Sequence, residues 1–155
     1  MLNMLFKYNW KVREEWFDWC EKIPPEELMK ERIGGMKSFL HTLFHVIDCE
    51  QIWVHQMLGE PVIEKDMRTI HSLKEVKEYA KSTRESSERF LSQFQYDLQK
   101  ELFINEKFIF SYEKVLYHIV THEVHHIGQL SIWAREIGIV PVNSDLLIKD
   151  LEMDN

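Results

Sequence analysis

The stretch between Ser111 and Gly138 constrains the fold most tightly. Val115, Ile119, His122, His126, Leu130, Trp133 and Ile137 recur there in steps of 4, 3, 4, 4, 3 and 4 residues. That spacing puts seven side chains on one stripe of an α-helix. An apolar helical stripe has to be buried against other elements, so the chain must supply helices to cover it. Gly138 and Pro141 follow as stop signals. Two of the seven seam positions hold histidine where a bundle core wants leucine.

Three more helical segments precede this one. The first spans roughly residues 2–21, where Leu2, Leu5, Val12, Trp16 and Cys20 share a stripe with Asn9. Pro24 and Pro25 end it or open the next turn. The second covers roughly residues 37–58, after Gly34 and Gly35, with Leu40, Leu43, Ile47, Val54 and Leu58 on one seam and Gly59 and Pro61 closing it. Phe44, Val46, Ile52 and Trp53 widen its apolar surface, so it is buried on more than one side. The third starts at the capping box Ser72-Leu73-Lys74-Glu75 and runs to about Phe94. Lys74/Glu78, Lys81/Glu85, Arg84/Glu88 and Glu85/Arg89 stand four apart on it and mark a solvated face. Between the third and fourth segments, Phe103, Ile104, Phe108, Ile109 and Phe110 flank Asn105-Glu106-Lys107, which predicts a short β-hairpin. The reading is all-α, a four-helix bundle in a single domain over residues 1–155. The tail from Val140 packs Leu146, Leu147 and Ile148 back on the bundle or on a partner.

Composition narrows the function. A net charge of −7 gives no basic face for nucleic acid or an anionic membrane surface. No apolar run reaches the ~20 residues that span a bilayer. Met1 to Phe6 is apolar but too short for a signal peptide, and Cys20 and Cys49 are far apart. These features predict buried thiols in a reducing, cytoplasmic compartment.

Eight histidines are present, four of them between His118 and His126. His122 and His126 project from one helix face with Cβ atoms ~5–6 Å apart, close enough to share one cation at ~2.0–2.1 Å from each nitrogen. Hydrogen-bonded core histidines are the alternative. His45, amid Leu43, Phe44, Val46 and Ile47 on the second helix, is the candidate third donor, and His41 one turn earlier is its rival. His118 is either a fourth ligand or a group behind the ligands, and the latter is preferred. His125 points to the surface, and His55 and His71 are read as solvated. Three neutral imidazoles would leave a divalent ion its full charge and an open position, lowering the pKa of bound water to about 7. Imidazole ligation suits zinc and nickel.

Three stretches carry a family resemblance: Leu5-Phe6-Lys7-Tyr8-Asn9-Trp10, His45-Val46-Ile47-Asp48-Cys49-Glu50-Gln51-Ile52-Trp53 and His122-Glu123-Val124-His125-His126-Ile127-Gly128-Gln129-Leu130. In this order on four helices, the sequence resembles the DinB-like (DinB/YfiT) superfamily of metal-binding bundles. The resemblance implies an up-down-down-up bundle and a metal site at His45, His122 and His126 holding nickel or zinc. It also implies a homodimer, and thiol-dependent S-transfer with a low-molecular-weight thiol or metal-dependent hydrolysis of a small molecule. Ile127 departs from the family, many of whose members carry Arg there. His118 and Asp48 are the candidates for proton handling. Exposed aromatics on the first helix and the apolar tail add to the expectation of a dimer.

Two rival readings remain. His122-Glu123-Val124-His125-His126 fits H-E-x-x-H, the zinc-peptidase helix with Glu as general base, but no third ligand motif follows it. A non-catalytic bundle that binds metal or a small molecule is the other, with Tyr8, Trp10, Trp16, Phe44 and Trp53 either lining a pocket or forming plain core. No Ser or Cys stands beside a credible base.

Overall fold

The computed structural model describes residues 2–93 and 97–151. In chain order the elements are α1 (Leu2–Cys20), the short α2 (Pro25–Met29), α3 (Phe39–Leu58), α4 (Leu73–Gln93), the strands β1 (Glu101–Ile104) and β2 (Phe108–Ser111), and α5 (Tyr112–Glu136). The expected end of the third segment, Phe94, lies outside the described residues. The strands form the expected hairpin, antiparallel with Leu102 opposite Phe110. No helix among the described residues is long and apolar enough to cross a membrane.

Local chemistry sets the helix ends. Ser38 caps α3 by accepting from the His41 N–H, and Gly59 closes it at φ 71°, a left-handed conformation that glycine adopts without steric cost. Ser72 accepts from the Glu75 N–H, while the Glu75 carboxylate accepts from the Ser72 hydroxyl and from the His71 N–H, a variant of the expected capping box.

Side-chain contacts fix the helix directions. Phe39 meets Trp133 and Trp53 meets His118, so α3 and α5 run antiparallel. Asp48 meets Tyr79 and His55 meets Ser86, so α3 and α4 run parallel. Asn9 meets Val120 and Arg13 meets Glu123, so α1 and α5 run parallel. The four long helices therefore run up-down-down-up.

The core falls into two apolar halves. One gathers Val12, Trp16, Phe17, Phe39, Leu43 and Trp133. The other gathers Phe6, Val54, Met57, Phe90, Leu116 and Ile119. Between them lies a charged layer. Arg13, 1% exposed, holds Glu123 through two bonds, Nε to Oε1 at 2.9 Å and Nη2 to Oε2 at 2.7 Å. The same Nη2 reaches Glu50 Oε2 at 2.7 Å. Glu50 also accepts from Ser87 at 2.6 Å and from the Trp10 indole at 3.1 Å. All four long helices thus contribute to one buried cluster. Burial pushes the Glu50 carboxyl up, but Arg13 together with the hydrogen bonds from Ser87, Arg13 and Trp10 outweighs burial and holds it below the usual range. For Glu123 burial prevails over Arg13, and its carboxyl sits above the usual range.

Several expectations are corrected here. Arg84 does not pair with Glu88 on a solvated face. It turns over the Trp10 ring at 4.1 Å, with Glu14 at 3.8 Å. Arg89 pairs with Glu60 across to the α3–α4 loop. His55 is not solvated: it is buried between the Pro61 carbonyl at 2.8 Å and the Ser86 hydroxyl at 3.0 Å. The aromatics of α1 do not stand exposed, since Phe6, Trp10, Trp16 and Phe17 are all buried within the chain. They give no reason for a dimer. The tail runs back along α1, with Val140 accepting from the Trp19 indole, Ser144 from the Tyr8 hydroxyl and Glu15 from Lys149. Of its apolar residues, Val142 and Leu151 pack on the core while Leu147 stays 98% exposed.

Replacing Arg13 by Met leaves two carboxylates buried without their cation, which costs about 3–5 kcal/mol at neutral pH. The penalty shrinks as pH falls through the carboxylate range, because an unpaired buried carboxylate takes up a proton more readily. Urea unfolding of Arg13→Met from pH 7 to pH 4 measures both effects. Adding Glu50→Gln and Glu123→Gln restores part of the loss.

Candidate metal centre

The antiparallel α3–α5 pair places His45, midway along α3, opposite two successive turns of α5. The His45 ring centroid stands 4.8 Å from both His122 and His126, which are 4.6 Å from each other. His45 Nε2 and His122 Nε2 approach to 3.1 Å. One ring nitrogen from each of the three lies within 4.8 Å of the others. Nitrogens sharing an ion at ~2.0–2.1 Å are themselves ~3–3.5 Å apart, so small side-chain shifts bring all three to ligating distance.

The electrostatics favour neutral rings. Burial lowers the pKa of His45, and His126 adds to the effect while Asp48 opposes it. Burial, then the neighbouring imidazoles of His126, His45, His118 and His125, lowers His122 to about 4. Burial also lowers His126, against the pull of Gln129. A metal ligand must present a lone pair rather than a proton, and these rings are uncharged at neutral pH.

Gln129 settles the tautomer of His126. Its Oε1 lies 2.7 Å from His126 Nδ1 and, as a carbonyl oxygen, accepts. Nδ1 therefore carries the proton, and Nε2 keeps its lone pair for the cluster. Gln129 is itself hemmed in by the turn before α3. Gly35 sits there at φ +50°, and a Cβ on it would stand 2.6 Å from that same Oε1. His122 Nδ1 is buried with no hydrogen-bond partner among the described residues, so packing and the contact of Nε2 with His45 orient that ring. Three neutral imidazoles, one with its tautomer fixed, fit a divalent transition metal.

The other candidates fall elsewhere. His118 is exposed, with its ring 5.6 Å from His122 and 5.8 Å from Trp53. Asp48 is occupied as a brace, since its Oδ1 accepts from the Tyr79 hydroxyl at 2.7 Å and from Gln51 at 3.1 Å. His41 bonds the Ile70 carbonyl and stays out of the cluster. His125 is exposed, and its ring nitrogen lies 3.4 Å from Gln129 Nε2. His71 is exposed. Cys49 is half-buried, and burial pushes its thiol up to about 12, so it is no nucleophile at neutral pH. Ile127, where the family often has Arg, belongs to the core. Both oxygens of Glu123 are held by Arg13 in the bundle centre, turned away from the histidines that flank it in sequence, so the peptidase reading lacks its general base. Sequence reasoning missed the role of Gln129 and the Arg13–Glu50–Glu123 layer. The signal for Gln129 was its place three residues after His126, on the same helix face.

Comparisons with known proteins agree with this architecture. The model of the DinB family matches residues 1–153. Uncharacterized protein YizA of Bacillus subtilis (strain 168) is 36% identical over 150 residues, covering 95% of this chain and 94% of that protein. The crystal structure of a DinB-like protein from Bacillus cereus ATCC 10987 superposes with a TM-score of 0.74 at 15% identity, over 92% of this chain and 94% of the other.

Removing the Gln129 acceptor frees His126 to take the wrong tautomer. Gln129→Leu is expected to weaken zinc binding about 10–100-fold, the usual effect of losing a partner behind a ligand. Gly35→Ala displaces the same oxygen and weakens binding in the same direction by a smaller factor. A chelator competition titration reads both, with melting of the metal-free proteins as the control for folding.

Proposed function

The chain belongs to the DinB family, and from that premise we propose that it is a metal-dependent enzyme acting on a small molecule, with a low-molecular-weight thiol or water as the second reactant. One observation carries the reading: His45, His122 and His126 make a set of three ligands rather than four, and two of them, His45 and His122, are only half-buried. Structural metal sites are closed by four protein ligands, whereas catalytic ones keep a position free. When bound, a nickel or zinc ion in this ligand set would supply Lewis acidity, lowering the pKa of a thiol or water beside it.

The residues of the chain have separable tasks. His45, His122 and His126 hold the ion without neutralising its charge. Gln129 keeps His126 in its ligating tautomer. His118, exposed with its ring 5.6 Å from His122, is the group to which this reading assigns the proton released by the attacking thiol or water. In the thiol reaction the sulfur bonds to an electrophilic carbon of the substrate, and the leaving group departs with the electron pair of the broken bond.

Protein purified without a His tag tests the reading. Elemental analysis is expected to find stoichiometric nickel or zinc in the wild type and its loss in His122→Ala and His126→Ala. Equal metal in all three removes the site. Conjugation of 1-chloro-2,4-dinitrobenzene to small thiols and hydrolysis of p-nitrophenyl acetate are then compared. A drop of about 100-fold or more in either activity on losing the ligands supports catalysis. Stoichiometric metal with no turnover of either kind favours the non-catalytic binding bundle instead.

A further inference from the structure

A second feature lies one helical turn from the histidine cluster. A slot of about 160 Å³ opens between α3 and α5 beneath β2, lined by Trp53, Phe110, Lys114, Val115 and His118. Its walls are ring faces and edges. Trp53 stands edge-on to Phe110 at 6.3 Å and edge-on to His118 at 5.8 Å. Phe108 stacks on Phe110 at 6.1 Å and holds it in place. Lys114 lies over the Phe110 ring at 5.7 Å and brings a cation to the lining. Among the described residues no carboxylate lines the slot, although the chain as a whole is acidic, at −7.

Size, lining and charge each limit the occupant. An apolar cavity of about 150 Å³ accommodates one benzene-sized molecule. Aromatic walls favour a flat ring, which packs edge-to-face or offset against them. The single cation favours an acid. The order along α5 then orients the molecule. Lys114, His118 and His122 are four residues apart, so each step is ~6 Å along the helix. An acid group at Lys114 and a ring against Trp53, Phe110 and Val115 leave the opposite ring position directed along α5 toward His118, whose own ring touches that of Trp53.

We propose that this slot binds a monocyclic aromatic acid, with its carboxylate at Lys114 and its far end toward His118, one helical turn short of the histidine cluster. That the occupant is a substrate rests on the metal-dependent reading above, whereas its binding does not.

The probe is 4-methylbenzoate, with 4-methylbenzyl alcohol as its neutral counterpart, followed by ligand-observed NMR titration of the full chain. Wild type is expected to bind the acid saturably. Lys114→Met should weaken the acid about two- to fivefold, the range expected of an exposed ion pair, and leave the alcohol unchanged. Phe110→Ala removes a wall outside the buried core and should weaken both ligands. His122→Ala, which discards the metal ligand, should still bind the acid. That result would keep the slot even if the metal-dependent reading fails. Absence of saturable binding to the wild type, or binding indifferent to both Lys114→Met and Phe110→Ala, overturns the proposal.

Discussion

The guanidinium of Arg13 governs how the helices can sit. A cation in a low-dielectric interior must keep its counter-charges, and Arg13 takes one from α3 and two bonds from α5, with α4 completing the layer through Ser87. Apolar contacts tolerate sliding and rotation, but a bidentate guanidinium–carboxylate pair does not. Rotating α5 by one residue would swing Glu123 ~100° away from Arg13. His122 precedes Glu123 directly, so the pair that fixes the carboxylate inward also fixes the imidazole on the adjoining face, toward α3. The direction of the histidine cluster follows from the charge layer.

The cluster shows how packing and chemistry divide one helix. Leu130 and Trp133 extend the seam of α5 into the larger apolar half, and Val115 and Ile119 extend it into the other. The histidines occupy the stretch between, at the level of the charge layer, where His45 and His122 are only half-buried. Burial sufficient to keep the imidazoles uncharged coexists there with access from outside. Gln129 and Gly35 then connect the turn before α3 to the ring of His126, so a loop distant in sequence limits how far that ligand can swing.

Much of this was legible in the sequence. The four long helices, the hairpin and the His122/His126 pair follow from periodicity and punctuation, whereas His45 stood as a third donor beside its rival His41 and was singled out with the pair by the family resemblance. The charge layer was missed because charged residues are read by default as solvated. Yet each occupies an apolar seam: Phe6, Trp10, Arg13, Phe17; Leu43, Ile47, Glu50, Val54; Val120, Glu123, Ile127. One arginine and two glutamates at core positions on three helices can be read as a single ion cluster, but only when the three seams are considered together. His55 was misjudged for a related reason. Its partners, Pro61 and Ser86, come from a loop and from another helix, and spacing along its own helix carries no trace of them. The α4 surface misled in the opposite direction, since Arg84 had both a local partner in sequence and a better one across the bundle.

The meeting of His45 with His122 joins positions 77 residues apart. An ion gripped there would act as a clasp across half the polypeptide, and it would have no comparable hold on the unfolded chain. Occupancy would then enter the folding equilibrium by mass action, adding roughly 4 kcal/mol when free ion exceeds its dissociation constant a thousandfold. The lifetime of the protein against proteolysis would rise and fall with the transition-metal supply of its surroundings.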